Sequence, residues 1–142
     1  MSVREMIISN DLVGLVRALS PKVSATTEEI KIAFDALKAM GEPAVLPLIE
    51  GLGDPDDAAR YNAAKCLGEI GDTRAVEPLV ACMEDCESNG WFAIGQLGAI
   101  RALAKMGDSR AQDALTFTSK NGSSAQVCND AAIALEAIRS RR

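Results

Sequence analysis

The chain has 142 residues, the length of one domain with a sizeable core. Its net charge of −5 argues against binding phosphate backbones or anionic membranes, because such surfaces need an excess of Lys and Arg. It contains no histidine, so the commonest general base and the commonest metal ligand are both missing.

Two short helices are predicted before Thr26. The first covers residues 3–8, and the second covers the apolar run from Leu12 to Leu19 and ends at Ser20-Pro21. The N terminus contains an acidic residue and only a short apolar run, which is unlike a signal peptide. No stretch approaches the roughly 18 apolar residues that a membrane helix needs. We therefore expect an N-terminal cap over residues 1–25 and a cytoplasmic protein that does not contact a membrane.

A repeat begins after this cap. Four segments align on an alanine that is followed four residues later by leucine, and the alanines are 30, 36 and 32 residues apart. These anchor alanines are Ala33, Ala63, Ala99 and Ala131. In the first three segments a glycine follows the helix, at Gly41, Gly71 and Gly107. Such a regular recurrence indicates stacked repeat units.

Each unit is predicted to be a pair of antiparallel helices. In the second unit the apolar residues from Ala59 to Ile70 recur at the spacing of one helix face. Gly71 then supplies the left-handed residue that ends a helix, and Asp72 can cap the next one. A second apolar stripe follows from Val76 to Met83. Pro78 is predicted to lie early in this second helix, as Pro47 does in the first unit, where the missing N–H group costs little. Helix starts are predicted at the capping box Thr26–Glu29 and at Asp54-Pro55.

The stretch from Gly53 to Val80, GDPDDAARYNAAKCLGEIGDTRAVEPLV, resembles a HEAT-like repeat of the phycobilisome-lyase type. The resemblance extends over roughly residues 26–140 and implies an all-α solenoid, a HEAT-like or armadillo-type superhelix of about four antiparallel helix pairs. The expected repeats are about 26–53, 54–86, 87–122 and a partial unit at 123–142, all in one domain. The third repeat is longer by about six residues, and its second helix is poorly apolar. A repeat fold does not by itself specify a function.

The cysteines are candidate metal ligands. Cys82 and Cys86 are four residues apart and, with Cys66, would offer thiolates, but zinc sites usually show tighter paired spacing and no histidine can add a ligand. Cys66 and Cys128 occupy helix positions that small residues fill elsewhere. We expect four reduced thiols, no metal and no cofactor. Asp72/Arg74 and Asp108/Arg110 are interpreted as helix caps and ion pairs between repeats rather than ligand contacts.

Carboxylates recur on the second helices, including Glu50, Glu77 and Glu84. In helix-pair solenoids of the family that the chain resembles, second helices usually line the concave surface. An acidic groove there would suit a protein partner with a basic surface, whereas the alternative is a solvated face without a partner.

Two apolar features are further candidates for partner binding. Trp91 and Phe92 lie in the lengthened third repeat, where they either form an exposed anchor or fold back over that repeat. The last predicted helix, from about Ala125 to Arg139, carries Ile133 on a face that no second helix covers. Ile133 is predicted to contact a second copy or a partner. The alternative is that this surface, which consists mostly of alanine, stays exposed to solvent without a partner.

The sequence therefore predicts a non-catalytic scaffold for protein–protein interaction, without nucleic acid or membrane as a partner. The resemblance also implies a rival function, an accessory subunit of an enzyme that handles a bilin chromophore or another cofactor. Deoxyhypusine hydroxylase, another protein of this repeat type, places its metal on His-Glu motifs, which a chain without histidine lacks. DNA binding as in HEAT-like glycosylases requires a cationic groove, which the net charge disfavours.

Overall fold

The computed structural model describes residues 2–23, 26–85, 94–121 and 125–140, and the regular structure of these residues is entirely helical. The helices are α1 (Val3–Ser9), α2 (Leu12–Arg17), α3 (Thr27–Met40), α4 (Glu42–Gly51), α5 (Asp57–Ile70), α6 (Val76–Asp85), α7 (Ile94–Met106), α8 (Gln112–Asn121) and α9 (Ala125–Ser140). Short 3-10 turns at Thr73–Ala75 and Ser109–Ala111 lead into α6 and α8. The predicted all-α solenoid is confirmed.

Side-chain caps define several of the helix starts. Ser2 and Glu5 form a capping box at α1, and the Thr26 hydroxyl accepts the Glu29 N–H at 3.2 Å at α3. The predicted cap at Asp54 was wrong by two residues. The cap of α5 is Asp56, whose carboxylate accepts the Ala58 N–H at 3.1 Å, while Asp54 accepts the N–H of Asp56 at 2.8 Å.

The repeat glycines end the first helices as predicted. Gly41, Gly71 and Gly107 have φ of +66°, +76° and +68°, where a side chain would be strained. After the second and third of these glycines, Asp72 and Asp108 cap the 3-10 turns by accepting the N–H of the residue two positions on. Each turn reverses the chain within a few residues, so the second helix can return along the first.

Proline placement differs between the repeats. Pro78 is the third residue of α6, as predicted, but Pro47 is the sixth residue of α4 and lies inside the helix. The prediction for Pro47 was wrong because α4 starts directly after Gly41, without the 3-10 turn that precedes α6 and α8. The carbonyl that loses its helical partner belongs to Pro43, which is exposed, so water can bind it.

The helices form two layers around one continuous core. The first helices α1, α3, α5, α7 and α9 contact one another in chain order, and α4, α6 and α8 each pack against the first helix of the following repeat. The closest approach joins α5 to α7. A Cβ atom added at Gly68 would lie 2.9 Å from the Cα of Ala102, and one added at Gly98 would lie 3.0 Å from the Tyr61 ring. Small residues at these crossings bring the two backbones together.

None of the described helices is long and apolar enough to cross a membrane.

Candidate partner-binding surface

The second helices present a repeated pair of exposed positions. Counted from the buried alanine at or just before the first turn of each second helix (Ala44, Ala75 and Ala111), the side chains two and six residues further on are exposed to solvent. We call these six residues the second-helix face: Leu46 and Glu50 on α4, Glu77 and Ala81 on α6, and Asp113 and Phe117 on α8. Because the two positions are four residues apart on each helix, they lie on one side of it.

The second-helix face combines carboxylates with large apolar side chains. Leu46 is 61% exposed and Phe117 is 58% exposed, which is high for side chains of this size. Helices α4 and α6 contain no lysine or arginine, and Lys120 is the only one in α8. The ionised groups of the six face positions are therefore all negative. Such a surface suits a partner that brings positive charge beside apolar groups.

A groove of about 210 Å³ continues this face onto the N-terminal cap. It lies between α2 and α4, with Val13, Val16 and Pro47 as apolar lining and with Arg17 and Glu50 among its charged residues. Val13 is 52% exposed. The cap therefore extends the apolar part of the surface beyond the first full repeat.

The structure places the predicted partner-binding residues as follows. Glu50 and Glu77 are exposed on the second-helix face. Ile133 is 66% exposed on α9, in the layer of first helices. Trp91, Phe92 and the side chain of Glu84 lie outside the described residues. The sequence prediction missed Leu46 and Phe117, although aligning the repeats on their alanines puts both at positions shared with carboxylates.

The Asp/Arg turns have the predicted structural role. Arg74 Nη2 donates to Asp72 at 2.9 Å and lies 3.5 Å from Glu42 of the preceding turn. Arg110 makes the same local bond to Asp108 and also donates to the Thr73 carbonyl at 3.2 Å. The hydrogen bonds from the arginine side chains hold the pKa values of both aspartates below their ordinary range. The turns are thus linked from repeat to repeat.

The described cysteines lie in structural positions. Cys66 and Cys82 are buried, and Cys128 is half-buried. Burial, followed by the nearby negative charge of Glu69, raises the pKa of Cys66 to about 12. A nucleophilic cysteine needs the opposite shift, because the thiolate is the reactive form. In the described part of the chain, no three cysteine, aspartate or glutamate side chains are grouped as metal ligands would be.

The stacked helix pairs define a helical repeat protein. The family model for HEAT repeats matches residues 16–91, and the model for the PBS lyase HEAT-like repeat matches residues 95–117. The first match spans more than half of the chain, so the chain belongs to the HEAT repeat family. Repeats of this family generally act as scaffolds for protein interaction. No curated protein matches the chain closely enough to count as a relative.

Proposed function

We propose that this protein is a non-catalytic scaffold that binds a protein partner through the second-helix face. The observation that carries the proposal is the repeated exposure of Leu46 and Phe117 beside Glu50, Glu77 and Asp113. Exposed apolar residues that recur with carboxylates at fixed positions of a rigid array form a patterned surface rather than scattered hydrophobes.

The chemistry of this face specifies the kind of partner. A partner with lysine or arginine around a small apolar patch would bury the leucine and phenylalanine and neutralise the surrounding carboxylates. A stable interface buries about 800 Å² on each side, which requires several repeats to act together. The partner surface is therefore expected to extend over α4, α6 and α8.

The absence of histidine and the raised pKa of Cys66 support a non-catalytic function. Catalytic groups usually have a pKa that is shifted towards the working pH, whereas this thiol is shifted away from it. The chain's contribution would then be recognition and positioning.

Affinity capture with the purified protein, followed by measurement of affinity for the captured partner, tests this function. The double variant Glu50→Lys/Glu77→Lys is expected to weaken binding by about tenfold or more, because it replaces attraction by repulsion at two points. The control is Glu136→Lys, which makes the same substitution once, at an exposed position of α9 in the other layer. Equal affinity of the double variant and wild type would contradict the proposed surface.

A second candidate function rests on the match to the PBS lyase HEAT-like repeat at residues 95–117. In that case the chain would be an accessory subunit of an enzyme that handles a chromophore or other cofactor. Two grooves on the described surface, of about 210 and 150 Å³, are smaller than ordinary ligand pockets of about 300–1,000 Å³, so neither is large enough for such a cofactor. Visible absorption of the captured complex distinguishes the two, since only a chromophore-bearing complex is coloured.

A further inference from the structure

A second, chemically different groove lies on the layer of first helices, between α5 and α7. Its volume is about 150 Å³. One wall consists of Tyr61, Lys65 and Glu69, spaced four residues apart on α5, and the other includes Arg101 and Lys105, spaced likewise on α7. Each wall is therefore one face of a helix, and the close packing of the two helices closes the groove underneath.

The two ends of this groove are closed by contacts between the helices. At one end Arg101 Nη1 lies 3.4 Å from the Tyr61 hydroxyl oxygen, to which it donates a hydrogen bond. At the other end Lys105 donates to Glu69, which also lies 3.5 Å from Lys38 of α3. The hydrogen bond from Lys105 holds the pKa of Glu69 below its ordinary range, so this carboxylate is charged and already engaged.

The groove lining contains two cations at equivalent repeat positions, one on each wall. Lys65 and Arg101 each follow their anchor alanine by two residues. Their other contacts lie on the outer sides of the two helices. Lys65 Nζ is 5.6 Å from the centre of the Phe34 ring on α3, and Arg101 Nη2 is 3.6 Å from Asp130 on α9. The groove lining contains a single carboxylate, Glu69, and it lies at the end of the groove.

We propose that this groove binds the carboxylate of a glutamate side chain from an acidic protein segment. A carboxylate between Lys65 and Arg101 would offset the repulsion of two like charges and gain charge-assisted hydrogen bonds, which are stronger than neutral ones. An engineered cavity of about 150 Å³ in another protein accommodates benzene, so a short apolar stem with one carboxylate fits this volume. Tyr61, Ala102 and the lysine stems supply apolar contact for that stem.

The charge distribution favours a protein carboxylate over a nucleic acid. A phosphate backbone needs a long row of cations, whereas this groove offers Lys65 and Arg101 on its two walls and is bordered by Glu69 and Asp130. The protein as a whole is also negative. The carboxylates of the second-helix face lie one helix layer away from the groove, at a distance of about the Debye length. Salt therefore screens their repulsion, and they weaken the attraction of the groove for a carboxylate only slightly.

Titration of the labelled protein with hexaglutamate peptide, monitored by amide chemical shifts, tests the site. The peptide is expected to shift the amides of Gly68, Arg101 and Ala102, and hexaglutamine is expected to leave them unchanged. Lys65→Met should weaken hexaglutamate binding by about tenfold, the cost of one lost charged hydrogen bond. The matched control Lys120→Met removes the same charge from α8, on the opposite layer, and should bind as wild type does.

Several results would overturn the proposal. One is the absence of amide shifts at the groove when hexaglutamate is added to the wild-type protein. Another is equal affinity of Lys65→Met and Lys120→Met for hexaglutamate. A third is tighter binding of inorganic phosphate, or of oligothymidylate with the same charge as hexaglutamate, than of hexaglutamate itself. The wild-type shifts decide the question even if a variant unfolds, and circular dichroism of each variant shows whether it has folded. Because the double variant Glu50→Lys/Glu77→Lys changes the other layer, the groove and the partner-binding surface can fail independently.

Discussion

The crossing of α5 and α7 gives the sharpest test of how the stack is held together, through the variant Gly68→Val. The added Cβ would lie 2.9 Å from the Cα of Ala102, closer than real Cβ contacts come, and 3.0 Å from its Cβ, which is tighter than most real contacts. Because one of these atoms belongs to the backbone, the helices must move apart. Forcing extra methyl groups into a packed contact costs about 1–3 kcal/mol, while the better helix propensity of valine returns about 0.4 kcal/mol. With three added carbons, the net loss should lie near the upper end, about 2–3 kcal/mol.

Urea unfolding monitored by circular dichroism measures this loss as a fall in the midpoint at unchanged slope. In thermal unfolding it corresponds to a decrease of about 4–12 °C for a chain of this size. Gly53→Val is the matched control, since a Cβ at Gly53 meets only the Glu50 carbonyl, at 3.5 Å. If Gly68→Val and Gly53→Val unfold at the same midpoint, α5 and α7 do not cross as closely as described, and the layer of first helices is held differently.

Four further outcomes are expected. Gly71→Val should lower stability by about 1–2 kcal/mol or more because φ is +76°, and an unchanged urea midpoint would contradict this conformation. The pKa of the Glu69 carboxyl is lowered in the folded protein. Its contribution to stability is therefore complete above the ordinary pKa near 4.5 and is lost as pH falls through the pKa of the folded state. Lys105→Met should reduce the loss of stability between about pH 6 and about pH 3. Cys66, with a pKa of about 12, should react with iodoacetamide far more slowly in the folded than in the unfolded protein, as peptide mass spectrometry measures. If α9 joins two copies, light scattering should detect a dimer that Ile133→Glu abolishes, and a monomeric wild type would exclude a second copy as the contact of Ile133.

The repeat itself could be predicted from the sequence because its signals are local. An alanine at each crossing and a glycine after each first helix recur in the printed chain, and the structure confirms Ala33, Ala63, Ala99 and Ala131 as buried. Helix starts were less predictable. Asp54 and Asp56 are both competent caps, and only the three-dimensional path of the chain decides that Asp56 performs this function.

The surfaces could be predicted only in part. Exposed carboxylates such as Glu77 follow from the helical pattern, since charged residues rarely point into a core. Exposed Leu46 and Phe117 contradict that pattern, and they emerge only when the repeats are superimposed. The groove at Lys65 and Arg101 was not predicted at all, because it depends on how closely two helices approach, and their spacing in sequence does not specify that distance.

The lengthened third repeat shows why such a stack tolerates an insertion. The carbonyl of Met83, near the end of α6, accepts a hydrogen bond at 3.0 Å from Gln96, whose side chain is fully buried in α7. Near the start of α7 the Gly95 N–H donates to Asp57 at 2.9 Å, and Asp57 is held in turn by Arg60 at 2.8 Å. Both hydrogen bonds hold α7, which follows the added residues, to the preceding helices α5 and α6. Since each repeat needs only its neighbours for burial, residues added between two fixed points leave the register of the stack unchanged. Gln96 takes the repeat position that Arg60 occupies in the preceding unit, so this departure from the repeat pattern replaces a guanidinium that binds Asp57 with an amide that binds the carbonyl of Met83 on α6.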